Sequence, residues 1–320
     1  MSSNLIVTSS PHIHGRKTTK SIMLDVVIAL VPAAVMAAIL FGWGALIRVF
    51  IGILGCVLFE CLWCLIMKKP DTTGDLSAVV TGILLTFNVP SSLPVWQLLV
   101  GCLVAVILVK QLFGGIGYNF LNPALAARVF MGLSFPETMT AHTFPSTAPD
   151  SMSTATPLLQ LDALSKATPA AAKLVDKYAD LWTLFIGNHG GVLGETCAAA
   201  LIIGFIYLLV RGVINPIIPL SYIGSAYLLH LAFGAVAPLN AILSGGLMLG
   251  AIFMASDYTT SPYSNLGKLI FGLGCGLLTV LIRTYSSTSE GVTYAILIMN
   301  LIVPYINDLT RRKPYGGAAK

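Results

Sequence analysis

Long apolar runs fill this chain, separated at intervals by short polar or glycine- and proline-rich stretches. A membrane-crossing helix needs about 20 mostly apolar residues. With that length as a ruler, the sequence predicts ten helical segments at roughly 23–42, 45–66, 76–88, 96–113, 122–134, 195–211, 216–234, 238–256, 267–285 and 291–307. Two of them, ending at "NVP" (88–90) and spanning "NPALAARVFMGLSF" (122–135), are too short to cross alone. Short apolar segments beside Gly and Pro breaks are what half-helices around a buried site look like. From Phe135 to about Gly194 the apolar pattern stops, which leaves one long polar connection.

Five segments precede that connection and five follow it, and an odd number per half places the halves in opposite orientations, the layout of an inverted repeat. The expected fold is therefore an all-α polytopic membrane protein with about ten transmembrane helices in a 5+5 inverted arrangement. It has three parts: 1–134 (N-terminus and first half), 135–194 (extracytoplasmic loop) and 195–320 (second half and C-terminus). "TGILLTFNVP" (81–90) and "GGLMLGAIFMASD" (245–257) are locally alike across the two halves, each a small-residue-rich helix ending in polar turn residues. Gly246 with Gly250, and Gly272 with Gly276, have the spacing that lets helix backbones approach closely.

Composition fixes the environment. Only 10% of residues are charged, against about 25% in a soluble domain, and the mean hydropathy is +0.85. Water cannot cover such a surface, so lipid or other protein must. The net charge of +5 is spread along the chain and gives no footprint for nucleic acid. The polar first 20 residues run straight into an apolar segment without a small-residue cleavage site, so no cleaved signal peptide is expected. A cytoplasmic N-terminus puts twelve Lys and Arg on the inner side, Lys68, Lys69, Lys110 and Arg211 among them. Five fall outside, three of them in the long connection, where the rule counts little, and Arg128 lies within a span. Both termini are then cytoplasmic and 135–194 is outside.

The candidate chemistry is sparse. Of the six cysteines nearly all sit in apolar runs, where thiols pack as small hydrophobes. "CLWC" (61–64) lacks a second CxxC or a His pair, which leaves a site shared with another subunit's cysteines as the minority reading. Glu60, Asp25 and Asp257 fall in or at the ends of spans, where acids are functional candidates by default, and Asp25 is expected at the interface. Asp257, beside Ser256, Thr259 and Thr260, could serve a hard cation or simply end a helix. "GGIGYNFLNP" (114–123) combines Gly114, Gly115 and Gly117 with the amides of Asn119 and Asn122, and reads as a ligand-approaching loop or a tight turn. "GGVLGET" (190–196) offers Gly191 and Glu195 for a ring or a phosphate, or starts a helix with Glu195 in its first turn. "DSMSTATP" (150–157) is a hydroxyl-rich stretch in the outer connection, where Pro157 biases Thr156 toward an extended backbone.

Asp150-x-x-Ser153-Thr154-Ala155-Thr156 resembles the Asp-x-x-Ser/Thr-Gly-Ala-Thr signal at which a flavin transferase attaches FMN, with Thr154 where Gly is usual. Along the chain, "GGIGYNFLNPALAARVF" (114–130), "GNHGGVLGET" (187–196), "MASDYTTSP" (254–262) and "EGVTYAILIMN" (290–300) occur in an order similar to that of the D subunits of bacterial Rnf ion-pumping electron-transfer complexes. The B subunits of sodium-pumping NADH:quinone reductases are their relatives. The resemblance implies FMN held by a phosphoester to Thr156, and a non-covalent riboflavin near Asn119 and Asn122. It also implies partner subunits A, B, C, E and G, and coupling of ferredoxin–NAD electron transfer to Na⁺ or H⁺ movement across the bacterial plasma membrane. In "VPYINDLTRR" the chain departs from the family, with Asn307 where an Asp is usual and Asp308 beside it. No acid–base or nucleophile constellation stands out, and no metal set is expected within this chain. The rival reading is a secondary transporter or channel, since inverted repeats are common to such folds. A covalent flavin separates the two.

Overall fold

The computed structural model describes residues 18–141, 181–187, 189–233, 237–286 and 291–311, and every regular element among them is helical. The sites proposed at Asp150, Ser153, Thr154, Ala155 and Thr156 lie outside the described residues. Among the described residues four helices are long and apolar enough to cross a membrane: α1 (Thr19–Phe41), α2 (Trp43–Ile66), α12 (Asn265–Tyr285) and α13 (Gly291–Leu309). Shorter apolar helices are α3 (Ser77–Phe87), α4 (Val95–Leu103, running on as a π-helix to Gln111), α5 (Pro123–Ser134), α8 (Ala198–Val210) and α9 (Ile217–Ala232). Between the two groups lie the short helices α6 (Pro136–Thr140) and α7 (Leu181–Ile186).

Local chemistry sets the helix ends. Thr18 caps α1 by accepting from the Ser21 amide at 3.2 Å. Gly42, at φ 80°, then turns the chain directly into α2, a left-handed conformation that glycine adopts without a Cβ clash. Along α1 the exposed Leu24, Ile28, Val31, Val35 and Ile39 recur at helical spacing and face outward. Ala29, Leu30, Ala33 and Ala37 turn inward. Both faces are apolar, as expected of a helix solvated by lipid on one side and protein on the other.

The two short apolar segments read from the sequence are present as short helices. α3 has 11 residues and α5 has 12, and nine of the residues of α3 are buried. A helix that stops inside a membrane leaves carbonyls that must find internal donors. At the end of α3 the Gly194 amide donates to Phe87 O at 3.0 Å and the Leu193 amide to Val89 O at 3.5 Å. The buried stretch 189–197 therefore satisfies the broken end of α3.

Two segments differ from expectation. The span read as 195–211 becomes helical only at Ala198, the preceding Leu193 and Gly194 amides being bonded to Val89 O and Phe87 O at the end of α3. Glu195 accordingly lies in a buried turn and not in a first helical turn. The span read as 238–256 is broken at Ser244–Gly246 into α10 (Pro238–Leu243) and α11 (Leu247–Leu249), with a π-helical continuation over Gly250–Met254. Gly245, at φ 70°, supplies the turn.

Helix α9 packs against α12 through the small residues flagged by spacing. Gly272 lies against Ser221 and Gly276 against Ser225, so two Ser/Gly pairs one turn apart bring the backbones together. The other flagged pair divides its contacts: Gly250 meets Val292, whereas Gly246 meets Glu195 and Arg128. The ends of the bundle sort consistently. The Ser92 hydroxyl donates to Ala141 O at 2.7 Å and α7 packs on α10, which places both sides of the 142–180 segment at one end. At the opposite end, called inner after the basic-residue reading, Asn119 meets Thr259 and Tyr263 meets Asn307.

Candidate functional site

A cavity of about 100 Å³ opens at the inner end between α1, α3, α5, the 116–123 loop and the 252–259 segment. Its walls are mostly aliphatic, with Val26, Leu84, Leu208 and Ile252 among them, and its polar groups are few: Asn119, Asn122, Lys110, Ser77, Thr81 and the Ser256–Thr259 turn. A mostly apolar pocket with a small number of placed polar groups is the usual form of a small-molecule site.

Both asparagines read from "GGIGYNFLNP" line this cavity, and each is also part of its frame. Asn122 caps α5, its Oδ1 accepting from the amides of Ala124 (3.1 Å) and Leu125 (3.4 Å), while its Nδ2 donates to Met254 O at 3.4 Å. Asn119 donates to Leu121 O at 3.1 Å and to the Thr259 hydroxyl at 3.3 Å. That hydroxyl donates in turn to Asp257 at 2.8 Å. Gly114, Gly115 and Gly117 have φ of 118°, 95° and 88°, and this run of left-handed residues folds the loop back over the cavity mouth.

The buried acids are paired. Glu60 is fully buried and receives two bonds from Lys110 Nζ, at 2.8 and 3.0 Å. Gln111 and Thr72 also donate to Glu60, at 2.6 and 2.8 Å. Lys110 is therefore a buried partner of Glu60, where the basic-residue reading had placed it on the inner surface. Asp25 is 4% exposed and bonds Arg211 and the Tyr207 hydroxyl, both at 3.1 Å. It is thus a buried acid that links α1 to the end of α8, where the Arg211 side chain is 52% exposed.

Deeper in the bundle the three chain breaks converge. Arg128 of α5 donates to Asn88 Oδ1 at 2.8 Å and faces Glu195 at 3.8 Å. A Cβ on Gly246 would come within 2.7 Å of Glu195 Oε2. Asn88 itself donates to Leu84 O at 2.6 Å and touches Met254 Sδ at 3.6 Å, so the two segments alike in sequence, 81–90 and 245–257, meet here. Gly194 packs on the Phe87 ring, and Gly191 on Thr196 and the His189 imidazole. Glu195 thus lies in the central cluster, joined to the cavity wall through Asn88 and Met254, while Gly191 packs within its own loop. Sequence reading did not single out Lys110, Asn88 or Arg128 as site residues. The signal was an ionisable residue inside an apolar run, in "VILVKQLF" and "ALAARVF". Five of the six cysteines are buried and Cys61 is partly exposed, with Cys64 Sγ 3.7 Å from the Thr72 hydroxyl.

An all-helical membrane chain with broken helices around a polar centre is a class shared by several transport and electron-transfer systems. A family model described as the NQR2, RnfD, RnfE family matches residues 6–316, and the chain belongs to that family. Among curated relatives it is similar to the D subunit of the Na⁺-translocating ferredoxin:NAD⁺ oxidoreductase complex of Acetobacterium woodii, with 44% identity over 98% of this chain and 96% of that protein. It is 36% identical to the D subunit of the proton-translocating ferredoxin:NAD⁺ oxidoreductase complex of Clostridium ljungdahlii, over 97% of this chain and 96% of that one. To the D subunit of the ion-translocating oxidoreductase complex of Stutzerimonas stutzeri the identity is 34%, over 95% and 94%.

Proposed function

We propose that this chain is the D subunit of an ion-translocating ferredoxin:NAD⁺ oxidoreductase complex. It crosses the bacterial plasma membrane ten times as an inverted 5+5 repeat with both termini cytoplasmic. It works with subunits A, B, C, E and G, and carries FMN on Thr156 outside and riboflavin in the inner cavity. The observation that carries the reading is similarity along nearly the whole chain to D subunits of such complexes, some named for Na⁺ and some for H⁺. The transported ion is accordingly Na⁺ or H⁺.

The cavity suits riboflavin in two respects. Its walls are apolar enough for a flat ring system, and its amides and hydroxyls are neutral hydrogen-bonding groups for a ligand without phosphate. The residues that would hold it are Asn119, Ser256 and Thr259 at the mouth, with Asn122 as the fixed cap beneath. A bound flavin can exchange one or two electrons, which suits a chain placed between one-electron and two-electron partners. What the chain itself contributes is position, low polarity and exclusion of water. At Thr156 the following Pro157 disfavours a helical backbone, which suits attachment by a flavin transferase, with Asp150, Ser153, Thr154 and Ala155 as recognition elements.

Purification under denaturing conditions tests the covalent site. The wild-type band should fluoresce yellow and carry the mass of one FMN, and Thr156→Ala should lose both while still inserting. A wild-type chain without flavin mass would favour the transporter reading. For the cavity, Ile116→Trp should reduce extractable riboflavin at least tenfold and leave covalent FMN unchanged. Asn122→Asp, which keeps the capping oxygen, should retain the fold.

A further inference from the structure

One wall of the inner cavity contains a fixed, buried positive charge. Lys110 and Ser77 both line the cavity, whereas Glu60 holds Lys110 from α2, behind that wall. The three Nζ contacts are the two oxygens of Glu60 and the Ser77 hydroxyl at 2.6 Å. Ser77 in turn donates to Asp75. With Gln111 and Thr72 also bonding the carboxylate, the pair cannot turn over, so its positive end faces the cavity.

A buried ion pair is a costly way to join two helices, since well-packed apolar residues do so equally well. What an ion pair supplies and apolar packing cannot is an electrostatic potential, screened less at a buried wall than in water. The other charged group on the lining, among the described residues, is Asp257, partly exposed at the opposite rim and bonded to Thr259. Asp25 lies close by on α1, compensated by Arg211. The lining therefore presents the Lys110 ammonium at the α4 wall, with Asp257 at the opposite rim and the Asp75 carboxylate one hydrogen bond away through Ser77.

We infer that Lys110, held by Glu60, sets the redox preference of the inner cavity by favouring the electron-rich form of its occupant. Lys110 is a tuning residue acting through its field. Its Nζ contacts belong to Glu60 and Ser77, and no proton need leave it. The inference rests on the assignment of riboflavin to this cavity, and the experiment separates the two.

The intact complex is stripped of non-covalent flavin and titrated with radiolabelled riboflavin, oxidised in air or reduced anaerobically with dithionite. The quantity read is the ratio of Kd for oxidised over reduced riboflavin. Lys110→Met should lower this ratio about tenfold, the order expected of one charge at an effective dielectric of about 20. Glu60→Gln, which leaves the lysine uncompensated, should raise it. Lys110→Arg should keep it near the wild-type value and covers the case in which the Met variant does not fold. A purely structural pair would give both neutral variants the same weakening of both forms. Equal ratios in all variants, or shifts of the same sign for Lys110→Met and Glu60→Gln, would overturn the inference. Wild-type complex that binds no riboflavin, or binds it undiminished in Ile116→Trp, would instead remove the cavity assignment and this inference with it.

Discussion

At the scale of single residues, the central cluster shows how a charge survives inside a membrane. Arg128 is 6% exposed and Glu195 4% exposed, and each lies on a different broken segment. Removing one member of such a pair leaves the other charge poorly compensated and costs about 3–5 kcal/mol, whereas replacing both can be nearly neutral. Glu195→Ala should therefore lower the thermal stability of the detergent-solubilised chain more than the double variant Arg128→Met with Glu195→Met. Melting curves of the two singles and the double check this directly. Strict additivity would mean that the 3.8 Å approach contributes nothing. Gly246 belongs to the same cluster, since a methyl there would press on the Glu195 carboxylate. Gly246→Ala should accordingly share part of the Glu195→Ala penalty and add little on top of it.

The element scale is where sequence reading succeeded most and also where it stopped. Every segment read as apolar has a helical counterpart, because runs such as 23–42 and 267–285 leave a chain in lipid no other way to satisfy its backbone. The half-helices at 77–87 and 123–134 were legible from their shortness and their Asn and Pro flanks. The breaks at 192–197 and 244–246 were not. Hydropathy averages over a buried irregular stretch, and the carbonyls that accept from the Leu193 and Gly194 amides lie roughly a hundred positions away in the chain. The same limit hid the Lys110–Glu60 pair, since nothing local tells a lysine at the end of an apolar run that its partner lies on α2. Asn119 and Asn122 could be read because they are neighbours in one loop. Spacing also found the α9–α12 contact, and it is testable there. Gly276→Ala should overlap Ser225 and destabilise the helix pair by about 1–3 kcal/mol. Ser225→Gly in the same chain should recover a large part of that loss, measured as urea or thermal midpoints of the purified protein.

For the whole molecule the claim open to direct test is its direction in the membrane. A cysteine at Ser151 should react with a membrane-impermeant thiol reagent in intact cells, and one at Lys69 only after the membrane is opened. A background lacking the partly exposed Cys61 keeps the labelling clean, since the other native cysteines are buried. The reverse pattern would invert the molecule and place the inner cavity on the other side.

That cavity also alters the electrical shape of the protein. It enters from one end and reaches side chains on α3, α5 and the broken 250–254 segment, so the insulating layer beneath it is thinner than the surrounding lipid. A membrane voltage falls where the medium polarises least, and across the full thickness it is worth about 2.3 kcal/mol per elementary charge per 100 mV. When the cavity holds water in place of its flavin, that drop is compressed toward the short stretch holding Asn88, Arg128 and Glu195, and a charge moving past these three residues feels most of it. With the apolar site occupied, the drop spreads over the full thickness again. The place where three helices stop is then a dielectric waist that the occupant of the cavity opens and closes.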